Sequence, residues 1–360
     1  MTARRPIRVA LIDDSPLVRL QLSRALDAES DMVVVGVAAD GASGLQLIER
    51  VRPDLVVLDL EMGELSGLGV LRVLRAKHPE LPVLVFSAFS QRGEAITAEA
   101  LTLGARDFVA KPSSLGSPTR PENALDQLIM KIRVIGGDAG TISGRPPTSR
   151  VARPQGWRPI HRPKVVVIGG STGAPEALNS VLPKLPGSLP VPIVVVVHMP
   201  ANFTRAIAES LDRRCALSVR ESVDGAAVEA GTVWIAAGGR HLELSKFAVG
   251  STAVLKQRDD PPVNFCRPSV DVLFESAAVV FGSRVLAIQL TGMGTDGLAG
   301  ATKIVESRGA VLAQDRASSV VWGMPGAVVE AGLADEVLPV DQMTARVQAL
   351  CTLPEFDERR

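Results

Sequence analysis

The stretch VVVIGGSTGAP, Val165 to Pro175, decides the fold. Four consecutive β-branched residues make a short apolar run that suits a strand covered on both faces. Gly169, Gly170 and Gly173 then permit a tight turn. Pro175 suits the first turn of a helix, where its missing N–H costs nothing. Strand, glycine turn and helix in that order form an α/β unit. Working outward, the pattern returns in IVVVVHM (Ile193 to Met199), TVWIAA (Thr232 to Ala237), VLAIQLTG (Val285 to Gly292) and GAVLAQ (Gly309 to Gln314). Each run reads as a buried parallel strand whose carboxyl end feeds a loop, where open α/β sheets hold their ligands.

Upstream, five such runs lie between Arg8 and about Val134: VALI, VVVGVA, LVVLDL, PVLVFSA and ARDFVA, alternating with five helical segments. After Asp14, Pro16 sits in a first helical turn, and Leu17, Val18, Leu22, Ala25 and Leu26 are expected to share the face that lies on the sheet. Over residues 136–163 the pattern gives way to Gly, Pro, Ser and Arg without apolar periodicity, which reads as a flexible linker rather than an arginine docking patch. The expected architecture is two doubly wound parallel-sheet α/β domains. One is flavodoxin-like over 6–135; the other is Rossmann-like over 164–350.

Composition agrees. A chain of 360 residues exceeds what one core usually organises, and with 46% hydrophobic but 3% aromatic residues the cores must be built from Val, Leu, Ile and Ala. Lys plus Arg and Asp plus Glu balance at 39 each, so no global basic field favours nucleic acid or an anionic membrane surface. No apolar run reaches membrane-spanning length, and no secretory leader precedes the VALI run. Cys215, Cys266 and Cys351 are too few and scattered for a disulfide framework. The expectation is a cytoplasmic protein with reduced thiols, no membrane insertion and no nucleic-acid partner.

In the first half, Asp13 and Asp14 follow the first strand, Asp59 ends the third, Ser87 ends the fourth, and Lys111 with Pro112 follows the fifth. Carboxyl ends of parallel strands share one edge, so these groups are expected to converge. Asp13, Asp14, Asp59 and Glu61 are the candidate ligands of Mg²⁺, which takes carboxylate, water and phosphate oxygens. Asp59 is then the nucleophile toward a phosphoryl group, with Mg²⁺ and Lys111 offsetting its charge and Ser87 hydrogen-bonding the new phosphoryl oxygen.

In the second half, G-x-S-x-G places Ser171 on a strand-to-helix turn, the context of a nucleophile elbow. His198 ends IVVVVHMP and Asp296 lies in LTGMGTDG, both after strands. A serine hydroxyl needs a base at neutral pH. Imidazole titrates in the right range, and a carboxylate fixes its tautomer and stabilises its cation. The chain order Ser, His, Asp differs from Ser, Asp, His, so a common lipase or esterase is disfavoured. A rival reading takes GMGTDG as a dinucleotide fingerprint with Asp315 as the ribose-binding acid. It would leave Ser171 and His198 unexplained.

The paired acids, DLVVLDLEM, the hydroxyl and the KP resemble the response-regulator receiver family over roughly 6–135. Its usual Met-Pro and Asp-Gly are replaced in MGELSGLGV by Gly63 and Ser66. The stretches IGGSTGAP, VHMP, RHLEL, PPVNFCRPSVDVLF, LTGMGTDG, LAQD and VVWGMPGAV resemble the CheB family of chemotaxis protein-glutamate methylesterases over nearly all of 164–350. That resemblance implies Ser171 as nucleophile, His198 as base and Asp296 as the third member. It also implies an oxyanion site at Thr172 and Met293, and no cofactor for the hydrolysis. It departs at Val197, Ala174, Phe265 and Cys266, which concern substrate contacts. The implied substrates are methyl-accepting chemoreceptors, whose glutamate methyl esters are hydrolysed to methanol and whose glutamines are deamidated. The implied phosphodonor is a chemotaxis histidine kinase, with the unphosphorylated receiver covering the cleft.

Overall fold

The computed structural model describes residues 5–63, 65–87, 90–111, 121–137, 161–246 and 253–353. The chain divides into two compact units, Met1–Ser143 and Gly144–Arg360. Most of the expected linker, and Pro112, lie outside the described residues.

In the first unit, strands β1 (Ile7–Ile12), β2 (Met32–Ala38), β3 (Leu55–Leu58), β4 (Val83–Ser87) and β5 (Asp107–Ala110) alternate with helices α1 (Pro16–Asp27), α2 (Gly41–Val51), α3 (Gly67–Lys77), α4 (Gln91–Thr102) and α5 (Pro121–Gly136). The five strands are all parallel in the order β2-β1-β3-β4-β5. Leu55, Val57, Leu84 and Phe86 form a core with Leu22, Leu26 and Leu128 from the helices. In α1, Leu22 and Leu26 are buried, whereas Leu17 is 61% exposed, against expectation. At about 100° per residue, Leu17 lies more than a quarter turn from the centre of the stripe set by Val18, Leu22, Ala25 and Leu26. Strand order reverses between β1 and β3, so the loops holding Asp13 and Asp59 flank the crevice that a doubly wound sheet opens at such a point.

The second unit holds β6 (Val165–Gly170), β7 (Ile193–Val197), β8 (Ser218–Glu221), β9 (Thr232–Ile235), β10 (His241–Lys246), β11 (Ala253–Arg258), β12 (Val285–Gln289), β13 (Ala310–Gln314) and β14 (Glu336–Leu338). Its helices are α6 (Ala174–Val181), α7 (Ala201–Asp212), α8 (Val270–Phe281), α9 (Leu298–Glu306), α10 (Met324–Glu330) and α11 (Val340–Cys351). Seven strands make one parallel sheet, β14-β13-β12-β6-β7-β9-β8. Strand β6, the VVVIGG run, lies at its centre with every residue buried.

The strands β8, β10, β11 and β14 were not expected. SVRE and EVL are short and polar at the sheet edges, and the antiparallel pair β10-β11 buries Leu242, Leu244, Ala253 and Leu255 on one face while Glu243 and Lys256 alternate outward. The order of the sheet reverses between β6 and β12. Ser171 follows β6 and residues 290–297 follow β12, so both meet at the crevice, with the His198 loop beside them after β7.

Candidate functional sites

In the first unit, the backbone N–H of Asp59 donates to Ile12 at 2.8 Å, which sets its carboxyl beside the loop after β1. Lys111 Nζ lies 2.8 Å from Asp13 Oδ2 and 2.7 Å from Asp59 Oδ2, bridging two buried carboxylates. Asp14 on the same loop is exposed. Asp13, Asp14 and Asp59 each offer an oxygen within 4.8 Å of the others. Burial lifts the Asp59 carboxyl above its ordinary range; Lys111 works against this and Asp13 reinforces it. Burial disfavours the Lys111 ammonium, but Asp13 and Asp59 more than compensate, so its net shift is upward. Carboxylates this close need a cation between them. The donor set, all oxygen with one face open through Asp14, fits a hard divalent ion.

Glu61 donates its backbone N–H to Asp59 Oδ1 at 3.1 Å. Ser87 is fully buried with its hydroxyl 3.5 Å from the Gly93 carbonyl, in line with the end of β4. Ser66 has a local task of its own. It is the N-cap of α3, and its hydroxyl accepts from Gly69 N–H at 3.4 Å.

The second site starts at the turn after β6. Gly173 at φ 81 lets the chain leave β6 and enter α6, with Pro175 inside the first turn. Ser171 N–H donates to the Thr291 carbonyl at 3.0 Å, and the Thr291 hydroxyl lies 3.0 Å from the Thr172 carbonyl. This pair ties the serine turn to the loop after β12. A Cβ on Gly292 would come within 2.9 Å of Ser171, so that loop passes the serine at a distance only glycine allows. His198 N–H donates to Gly170 at 3.2 Å, and Gly170 stands opposite Val197 in register, which makes Ser171 and His198 neighbours on adjacent strand ends.

His198 Nε2 is 2.7 Å from Asp296 Oδ2. The Asp296 carboxylate is held by the amino end of α8. It accepts from Val270 N–H at 2.6 Å, Asp271 N–H at 3.2 Å, the Ser269 hydroxyl at 2.7 Å and the Asn264 amide at 3.0 Å. An acidic group from another loop thus satisfies two of the orphan N–H groups of that helix. Burial would lift the Asp296 carboxyl, but His198 and these donors hold it down at about 2. Burial likewise pulls the His198 imidazole down, and Asp296 and then Cys266 outweigh it, lifting it to about 9.

The structure therefore unites His198 with Asp296 and sets Ser171 beside them. The Ser171 hydroxyl makes no hydrogen bond to a described residue. The other imidazole nitrogen, Nδ1, meets Cys266 Sγ at 3.4 Å. Thr172 is buried, and Met293 is 40% exposed on the loop after β12. Asp315 accepts from the Ser318 N–H and hydroxyl, an ordinary loop cap, while Asp296 faces His198. The fingerprint reading of GMGTDG thus gains nothing here.

Sequence reasoning missed Asn264, Ser269 and Thr291 as partners of the site. The first two lay in the quoted PPVNFCRPSVD stretch. The available signal was Ser269 at the N-cap position directly before α8.

The family model "CheB methylesterase" matches residues 166–347, and "Response regulator receiver domain" matches 9–117. A Nocardioides protein named protein-glutamate methylesterase/protein-glutamine glutaminase is 46% identical, covering 93% of this chain and 92% of its own. A Trichodesmium erythraeum protein of the same name is 43% identical over 94% and 97%. The crystal structure of the Thermotoga maritima CheB methylesterase catalytic domain, 41% identical, matches with a TM-score of 0.51 over 52% of this chain and 98% of that one. The chain belongs to the CheB methylesterase family, joined to a response-regulator receiver domain.

Proposed function

We propose that the chain is a phosphorylation-regulated serine hydrolase that removes methyl esters from receptor glutamates and deamidates receptor glutamines. The observation that carries this reading is the 2.7 Å bond between His198 and Asp296, on the loops flanking the Ser171 turn.

With Nε2 committed to Asp296, Nδ1 is the nitrogen that takes the proton from Ser171 Oγ as it attacks the ester carbonyl. The tetrahedral oxyanion forms near the backbone N–H groups of Thr172 and Met293. Methanol departs with the proton returned from His198, and water, activated by the same nitrogen, releases the glutamate. A glutamine would give the same acyl-enzyme with ammonia as the leaving group. Such a base contributes about 10²–10⁴ in rate and one oxyanion donor about 10²–10³.

In the receiver, Asp59 accepts a phosphoryl group from a histidine kinase. Asp13, Asp14 and Asp59, with Glu61 beside them, would hold Mg²⁺, which when bound neutralises phosphoryl oxygens. Lys111 exchanges its pairing with Asp59 for the phosphoryl group, and the Ser87 hydroxyl turns from Gly93 to donate to one of its oxygens. Phosphorylation raises the hydrolase rate. Protein substrates are chemoreceptors, and the working compartment is the cytoplasm. Among the described residues no helix is long and apolar enough to cross a membrane. The domain limits remain those expected from the sequence: receiver 6–135, linker 136–163 and hydrolase 164–350.

A fluorophosphonate probe followed by peptide mass analysis tests the nucleophile. Ser171 should carry the adduct, and labelling should fail in His198→Ala. An adduct on another serine would refute the assignment.

A further inference from the structure

Four residues between β11 and α8 bring an unexpected group to the base. Val263 and Cys266 exchange two backbone hydrogen bonds, 3.1 and 2.9 Å, and the residues between them, Asn264 at φ 51 and Phe265 at φ 62, both adopt left-handed conformations. Two consecutive positive φ angles make a type I′ turn, which glycine and asparagine favour and phenylalanine does not. The turn is held where it is by Asn264, whose amide bridges Asp271 Oδ2 at 2.7 Å and Asp296 Oδ1 at 3.0 Å. Asn264 and Cys266 point into the site, while Val263 and Phe265 face solvent. The Cys266 thiol thereby reaches His198 Nδ1, the ring nitrogen left after Asp296 takes Nε2.

We propose that Cys266 is a positioning residue of the hydrolase: it occupies the nitrogen of His198 that Ser171 needs, and so sets the pH at which the base becomes available. This rests on the reading of Ser171 and His198 given above. The Cys266 sulfur accepts from Nδ1–H of the imidazolium, which favours the charged ring and keeps engaged the nitrogen that should receive the serine proton. Transfer from Ser171 requires the thiol to yield Nδ1 when substrate enters.

The titratable groups acting on the imidazole are Asp296 and Cys266. Asp271 stands behind Asp296 through their shared Asn264, and His241 reaches the same loop through its bond to Ser269 N–H. Asp296 remains in any Cys266 variant, so what changes is the hold on Nδ1. Cys215 and Cys351 give a contrast. Burial alone dominates their environments and lifts their thiols to about 11 and about 12, with no imidazole partner among the described residues.

The test is the pH profile of kcat/KM between about pH 6 and 10 for the full chain on methylated receptor membranes, comparing parent, Cys266→Ala and Cys266→Ser. In Cys266→Ala the acid limb should move down by about one pH unit, a gain of about tenfold in rate on that limb. Cys266→Ser, which keeps an acceptor for Nδ1–H, should move it less. Profiles that coincide with the parent, an upward shift, or a lowered plateau with an unmoved limb each overturn the proposal. If Cys266→Ala fails to show a parent-like circular dichroism spectrum, the Cys266→Ser profile decides by the same criteria. Ser171→Ala, alone and with Cys266→Ala, separates the two failures. Activity surviving in it removes the nucleophile reading itself, whereas its loss together with superimposed profiles removes only the role of Cys266.

Discussion

At the residue scale, the burden falls on Asp296, which takes four donors besides His198 and shares the amino end of α8. Its charge both fixes the tautomer of His198 and stabilises the imidazolium. Asp296→Asn should therefore lower kcat by about 10⁴ while the fold persists. The acid limb of its pH profile should also move to lower pH, because the imidazole loses the main group that lifts it. Linkage gives a second readout. His198 folds with its value raised from 6.5 to about 9, so the stabilisation from its charged pairing is complete below 6.5 and disappears as pH rises through about 9. The difference in urea midpoint between parent and Asp296→Asn should shrink over that window. A difference that is constant from pH 6.5 to 9 would contradict the pairing.

Elements decide which of these partners could be read from sequence. Ser171, His198 and Asp296 were legible because each lies on the loop after a short, largely apolar strand, and parallel strands deliver their carboxyl ends to one edge. Asp13, Asp59, Ser87 and Lys111 were legible for the same reason. Asn264 was not readable as a site partner, and Cys266 only as a departure among the substrate contacts, because their positions depend on a four-residue turn whose backbone no apolar periodicity reports. Strands β8, β10, β11 and β14 escaped through brevity and through charged residues on their solvent faces. Leu17 was misplaced because apolar character alone does not fix an angle on a helix. The turn carries its own prediction. Asn264→Ala leaves two buried carboxylates short of a shared donor and puts a Cβ-bearing residue without a local hydrogen bond at φ 51, so it should destabilise by about 1–3 kcal/mol. Asn264→Gly relieves the backbone but not the lost amide and should fall between parent and Asn264→Ala in urea unfolding. A glycine variant no more stable than the alanine one would argue that the turn is not held in a strained conformation.

For the whole molecule, the two units share one organising device. Each is a doubly wound parallel sheet whose chemistry gathers where strand order reverses, at β1 and β3 in one and β6 and β12 in the other. One gathers carboxylates around a lysine, and the other an imidazole and a carboxylate beside a serine. Joined in a single chain, they suit the proposed control of ester hydrolysis at Ser171 by phosphoryl transfer to Asp59. Methanol release from methylated chemoreceptor membranes, with and without acetyl phosphate and Mg²⁺, reads both at once. The full chain should release methanol, faster with the phosphodonor, and Ser171→Ala should release none under either condition. Undiminished methanol release by Ser171→Ala would contradict the central claim.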